Sequence, residues 1–140
     1  MPVFTRQQTI DAPIEKVFAT VSNLETFEEW NPTIRTARRL DEGEIGEGSE
    51  FEFQIRGVGR TVQRLEEFEK NQQVRLVPQN GPVAGGHRFV MTSEGGGTRI
   101  DHELEMRPKG FFKLFSPVMS KMGEKNLRDT ADALQEYLET

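Results

Sequence analysis

The sequence predicts an α+β domain in which an antiparallel sheet is backed by one long C-terminal helix. Three observations carry this expectation. Phe51, Phe53 and Ile55 alternate with Glu50, Glu52 and Gln54, the mark of a strand with one dry and one wet face. Glycine-bearing turns at Gly57-Val58-Gly59 and Gly95-Gly96-Gly97 join such strands into hairpins. Beyond Pro108 the apolar period changes from two to 3.6, and Leu127, Ala131, Leu134 and Leu138 form a helical stripe.

Taken in order, Val3 to Ile10 alternates loosely and reads as the first strand. Asp11-Ala12-Pro13 then opens a helix, because the N–H that proline lacks would be unpaired in a first turn anyway. Ile14, Val17, Phe18 and Val21 supply its apolar stripe. Ser22-Asn23-Leu24-Glu25 has capping-box spacing and begins a second short helix, with Leu24, Phe27 and Trp30 inside and Asn31-Pro32 as its stop. Ile34 to Leu40 is the next strand, closed by the acidic turn from Asp41 to Gly48. Arg60 to Lys70 should carry a bulge, since Val62, Leu65 and Phe68 do not share a parity. Val74 to Val77, His87 to Ser93 and Thr98 to Met106 complete the sheet, the last with Ile100, His102, Leu104 and Met106 on one face. Phe111 to Phe115 reads as a lead-in to a helix running from about Ser116. No repeat, low-complexity run or linker interrupts residues 1–140, so one domain is expected.

Composition removes several function classes. With 18 Lys and Arg against 23 Asp and Glu, the net charge is −5. That balance lacks the cationic field of a nucleic-acid binder and is repelled by anionic membrane surfaces. There is no cysteine, hence no disulfide frame, thiolate metal site or cysteine nucleophile. MPVFTRQQTI lacks the basic and apolar regions of a signal peptide, and no run is long enough to span a membrane. A cytoplasmic protein without membrane insertion, monomeric or homodimeric, is the expectation.

A strongly twisted sheet curled round one helix leaves a wedge between them. Side chains either plug it or line a pocket, and the 10 Phe and 5 Met of this chain suit both outcomes. Residue chemistry alone leaves the two open.

The segments Asp11-Ala12-Pro13-Ile14-Glu15-Lys16-Val17-Phe18, Phe27-Glu28-Glu29-Trp30-Asn31-Pro32, Gly46-Glu47-Gly48 and Arg107-Pro108-Lys109-Gly110 resemble the polyketide cyclase/dehydrase branch of the START-like superfamily. The resemblance covers nearly the whole chain. It implies the helix-grip fold, in which about seven antiparallel strands wrap a long C-terminal helix, with two short helices after the first strand. It also implies a cavity for a hydrophobic small molecule, which favours the pocket over the plug. The matching residues are helix starts, turns and core anchors, so they imply no catalytic group.

On that basis the expected cavity lining combines Trp30, Phe51, Phe53 and Ile55 with Val62 and Arg64 of the long strand. Phe89, Met91, Ile100, His102 and Leu104 follow from the last two strands, and Phe115, Met119 and Met122 from the helix. His102, in register between Ile100 and Leu104, is the candidate acid/base residue, able to bond a ligand carbonyl or move a proton. A buried structural histidine held by a backbone carbonyl or water is the simpler reading and carries more weight. His87 approaches it only if the triglycine loop gives residues paired across the two strands an odd index sum; a one-residue change separates the faces. Arg64 is a candidate partner for a ligand carboxylate or for Glu66, while Glu52 belongs to the wet face. The glycines of Gly43-x-x-Gly46-x-Gly48 and Gly81-x-x-x-Gly85-Gly86 are read as turns, since neither run opens a helix as a phosphate cradle does.

No metal or cofactor is expected: the histidines lack any established ligand spacing. Three functions follow. A container for a hydrophobic or amphipathic ligand (lipid, polyketide or quinone-like) leads. A cyclase or dehydratase acting on a polyketide-like carbonyl compound through His102 is the enzymatic alternative. A protein-interaction domain using the acidic Glu66, Glu67 and Glu69 is the third.

Overall fold

The computed structural model describes residues 3–81, 83–110 and 116–140. Its order is β1 (Val3–Ile10), α1 (Ile14–Ser22), a 3-10 turn (Leu24–Thr26), α2 (Phe27–Trp30), β2 (Ile34–Arg39), β3 (Glu50–Ile55), β4 (Gly59–Glu69), β5 (Gln73–Pro78), β6 (Val83–Glu94), β7 (Gly97–Pro108) and α3 (Ser116–Glu139). The seven strands form one antiparallel sheet in the order β1-β7-β6-β5-β4-β3-β2. Every step but one is a hairpin; β1 closes onto β7 at the far edge. The expected α+β helix-grip architecture is therefore present.

Helix α3 keeps the stripe its spacing predicts, with Leu127, Ala131, Leu134 and Leu138 all buried. It lies against β1 and β7 rather than across the whole sheet. Gly123 permits this close approach, because a Cβ there would meet Sδ of Met106 at 2.8 Å and the ring of Phe4. Polar ties fix its C-terminal half: Gln8 Nε2 donates to the Ala131 carbonyl (3.0 Å) and the Asp11 N–H to Glu139 Oε2 (2.8 Å).

The two short helices cover the other part of the inner face, where Val17, Phe18, Val21, Leu24 and Phe27 join Phe51, Phe53, Leu65 and Phe89 in one core. Asn23, not Ser22, caps the turn after α1, accepting from the Glu25 N–H at 3.2 Å. The Ser22 hydroxyl instead donates back to the Phe18 carbonyl within α1. The edge of β2 is not left open. Glu28 Oε1 accepts from the Ala37 N–H (3.0 Å) and Glu25 Oε2 from the Arg39 N–H (2.9 Å). Carboxylates thus occupy backbone donors that would otherwise template another strand.

The expected bulge in β4 falls between Glu66 and Glu69, and Glu67 sits there in the left-handed region (φ 50°). Its carboxylate accepts from Arg88 at 3.0 and 2.9 Å, with Arg75 at 3.4 Å. Those bonds, Arg88 first, hold Glu67 below the usual carboxylate range. The glycine pair Gly85-Gly86 is not a turn, as its composition suggested, but part of β6. Both residues have positive φ, at 112° and 109°, and a Cβ on Gly86 would overlap the Leu76 carbonyl oxygen. Glycine is required where β6 presses this closely on β5.

Candidate functional site

Because α3 sits over β1 and β7, the inner face beneath β4, β5 and β6 is only partly covered. A cavity of about 1040 Å³ lies there, between the sheet and the N-terminal half of α3. Ile55 and Val58 of the β3–β4 hairpin, Leu104 and Met106 of β7, and Val118 and Met122 of α3 give it an apolar lining. Thr61 and Gln63 of β4 and His87 of β6 also line it, and Lys109 stands among the lining residues beyond β7. Gly86 lines the wall immediately before His87.

The polar residues of β4 follow from register. Phe53 faces Thr61 and Phe51 faces Gln63 across the antiparallel β3–β4 pair, and directly opposed residues share a face. Thr61 and Gln63 are accordingly buried, and Gln63 Nε2 donates to Thr61 Oγ1 at 3.1 Å. Val62 and Arg64, expected inside, lie on the outer face instead. The Val62 N–H is bonded to Asn80 Oδ1 (2.7 Å), and Arg64 is bound to Glu50 through Nε and Nη2. Arg64 is therefore no partner for a ligand in the cavity, and it pairs with Glu50 rather than Glu66. Glu52 is on the wet face as expected, held below the usual carboxylate range chiefly by its bond to Arg60.

Of the other expected lining residues, Ile55, Leu104 and Met122 border the cavity. Trp30, Phe51, Phe53, Phe89, Met91 and Ile100 are packed core. Trp30 rests on Phe27, with ring centroids 4.6 Å apart, and donates from Nε1 to Thr26 Oγ1. Phe115 lies outside the described residues; so does the side chain of Met119.

His102 is buried behind the wall, 2% exposed, and does not border the cavity. It stacks on Phe89 with centroids 4.2 Å apart. The β6–β7 hairpin pairs Glu94 with Gly97, so Phe89 faces His102 and His87 faces Leu104. His87 and His102 then sit diagonally on one face, and His87 Nδ1 meets His102 Nε2 at 2.8 Å. His102 Nδ1 is buried with no hydrogen-bond partner. Burial pushes His87 down to about 4, and it pushes His102 well below the usual histidine range, with His87 and Arg6 adding to the effect. Both imidazoles are neutral at pH 7, and one donates to the other. The pair was reachable from the sequence only as one of two loop alternatives; Thr61, Gln63 and Gly86 were missed.

Among the described residues no group of three His, Cys, Asp or Glu side chains is placed to hold a metal, and no helix is long and apolar enough to cross a membrane. Of the acidic cluster on β4, Glu67 is already bound by two arginines, which weakens the case for a basic partner there.

A sheet gripping a helix, with an apolar cavity left between them, defines a helix-grip protein. Residues 1–139 match the family model described as polyketide cyclase/dehydrase and lipid transport, and the chain belongs to that family. Solved structures give the same fold. A START superfamily protein from Mycobacterium smegmatis is 20% identical, with 98% of this chain and 97% of that one covered at a TM-score of 0.79. The Zhui aromatase/cyclase from Streptomyces sp. R1128 is 13% identical, with 99% and 93% covered at 0.77. At these identities the likeness establishes the fold alone. No curated protein matches the sequence.

Proposed function

We propose that this protein binds a small hydrophobic or amphipathic molecule, of lipid, polyketide or quinone-like character, in the cavity between sheet and α3. The observation that carries this reading is the cavity itself, about 1040 Å³ with walls largely of Ile55, Val58, Leu104, Met106, Val118 and Met122. Its volume is that of a small-molecule site, not of a packing defect. Burying roughly 300 Å² of apolar ligand surface contributes on the order of 7 kcal/mol, enough for micromolar binding before ordering costs. Arg64 is turned out to Glu50, so among the described residues the one cation at the lining is Lys109, beyond β7, and the apolar walls suit an uncharged ligand body. The family description, which names both polyketide chemistry and lipid transport, agrees with such cargo.

Catalysis of the cyclase or dehydratase kind is less well supported. His102 stands behind the wall, and His87, neutral down to about pH 4, is a weak base and no acid near neutrality. We place the protein in the cytoplasm, as a monomer or homodimer that works as a container.

The test is native mass spectrometry of the purified protein together with titration of a solvatochromic dye, using Leu104→Trp to fill the cavity. Retained hydrophobic adducts, or dye binding that falls at least tenfold in the filled variant, support the reading. Dye binding that is absent, or unchanged by Leu104→Trp in a variant with native circular dichroism, refutes it.

A further inference from the structure

Two tautomeric arrangements satisfy the short contact between the histidines. In one, His87 Nδ1–H donates to His102 Nε2, and the proton of His102 then resides on its Nδ1. That leaves a buried N–H with no acceptor, since His102 Nδ1 has no partner. In the other, His102 Nε2–H donates to His87 Nδ1, and the orphan atom at His102 Nδ1 is only a lone pair. Orphaned buried N–H groups are rarer in folded proteins than under-used acceptors. The second arrangement is favoured.

Its consequence reaches the cavity. With Nδ1 accepting from His102, the proton of His87 must be on Nε2, the nitrogen on the side of the ring turned away from His102. No hydrogen bond joins this nitrogen to another described residue, and His87 borders the cavity. Of the neighbouring polar groups, Gln63 bonds to Thr61, Asn80 accepts from the Val62 N–H, Asn126 accepts from Thr130 and Glu105 pairs with Arg75 and Arg107, while Lys109 is a further donor in the lining.

We propose that His87 is the polar recognition residue of the cavity, donating from Nε2–H to an uncharged oxygen acceptor such as a ketone or quinone carbonyl, with His102 as the positioning residue that sets its tautomer. The ligand is thus a hydrophobic body carrying a carbonyl-type oxygen, in preference to a pure hydrocarbon or a cation. This assignment rests on the container reading above. An ammonium group would find no acceptor at His87, and a hydrocarbon would leave the Nε2–H desolvated without a partner. Removing His102 frees His87 to adopt either tautomer, so part of the recognition is lost without any change at the contact atom itself.

The experiment compares two tricyclic probes that differ by one oxygen, 9-fluorenone and fluorene, in competition with a bound dye. The wild-type protein is expected to prefer fluorenone by roughly 2- to 10-fold beyond the preference set by their partition into an apolar solvent, the range one hydrogen bond provides. His87→Phe abolishes that excess, His87→Gln retains part of it, and His102→Leu reduces it. Nitrogen-15 imidazole shifts in the unliganded wild type at pH 7 give an independent readout: His87 should carry its proton on Nε2 and show an unprotonated Nδ1. Both probes binding with the same ratio in wild type and His87→Phe overturns the role of His87 while leaving the container intact. The Nδ1–H tautomer at His87 overturns it as well. If neither probe displaces the bound dye from the wild type, this assignment fails while the container stands on the dye; if the dye itself does not bind, both fail.

Discussion

Gly86 is where the pairing of β6 with β5 depends on one missing atom. In Gly86→Ala the new Cβ would overlap the Leu76 carbonyl oxygen and approach Pro78 Cδ at 2.9 Å. The Leu76 oxygen is backbone in the adjoining strand, so it cannot move without parting β5 from β6. A φ of 109° adds strain of about 1–3 kcal/mol for any L side chain. Loss of one or two ladder hydrogen bonds near the Leu76–His87 pair adds about 1 kcal/mol each. The sum, about 2–5 kcal/mol, is a large share of the 5–15 kcal/mol typical of a domain. Gly96→Ala is the control, because its φ is also positive at 87° but nothing lies within 4 Å of the new Cβ. Urea unfolding followed by the fluorescence of Trp30, the one tryptophan of the chain and buried, measures both. Gly86→Ala should exceed Gly96→Ala by about 2 kcal/mol. Equal losses would mean that strain alone matters, and the proposed crowding of β6 on β5 would be wrong.

Stability should also fall on acidification in two windows. Both histidines bind protons more weakly in the fold than in the unfolded chain, so stability is fully present above about pH 6.5 and declines toward pH 4. For His87 the loss is at most about 3 kcal/mol, an upper bound because the cavity admits water. Glu52, Glu67 and Asp129, held below their ordinary values by Arg60, Arg88 and Lys125, add losses only as the pH drops below about 4.5 and through their lowered values. Denaturant midpoints between pH 7.5 and 4 check this: His87→Gln should flatten the upper window, and an unchanged slope would contradict the buried neutral pair. Glu28→Ala should cost about 1 kcal/mol by freeing the Ala37 N–H, and should raise aggregation at the β2 edge in light scattering. No increase would show that the short helices shield that edge without the carboxylate.

The helix was legible because its signal is redundant: four buried residues at 3.6 spacing agree about one face. The strands were legible for the same reason where apolar residues alternate, as in Phe51 and Phe53. The wall of the cavity was not, because its parity hangs on loop length. The β3–β4 hairpin pairs Ile55 with Gly59 and leaves three residues in the loop, so Thr61 and Gln63 face inward. Taking Gly57-Val58 as a two-residue loop, or trusting the apolar character of Val62, shifts the register by one and turns Arg64 inward. The triglycine posed the same choice for the histidines, settled by the pairing of Glu94 with Gly97. Gly85 and Gly86 look like a turn in sequence because their actual cause, a neighbouring strand's backbone, is remote along the chain.

These features belong to one physical arrangement. Gly123 lets α3 sink onto β1 and β7, and Gly86 lets β6 press onto β5 at the wall. Among the described residues the inner face between them is not closed by apolar side chains, although the core on the side of α1 and α2 is packed with aromatic rings. At the border of the unfilled region the chain keeps the neutral imidazole of His87, backed by that of His102, whose Nδ1 is buried and unpaired. Neither an unfilled apolar volume nor a desolvated histidine stabilises a fold, since each forgoes contacts or solvation that a well-packed leucine would not. Both become favourable together when a hydrophobic molecule with an oxygen acceptor fills the space. The volume gains its missing contacts, and the Nε2–H of His87 gains its partner.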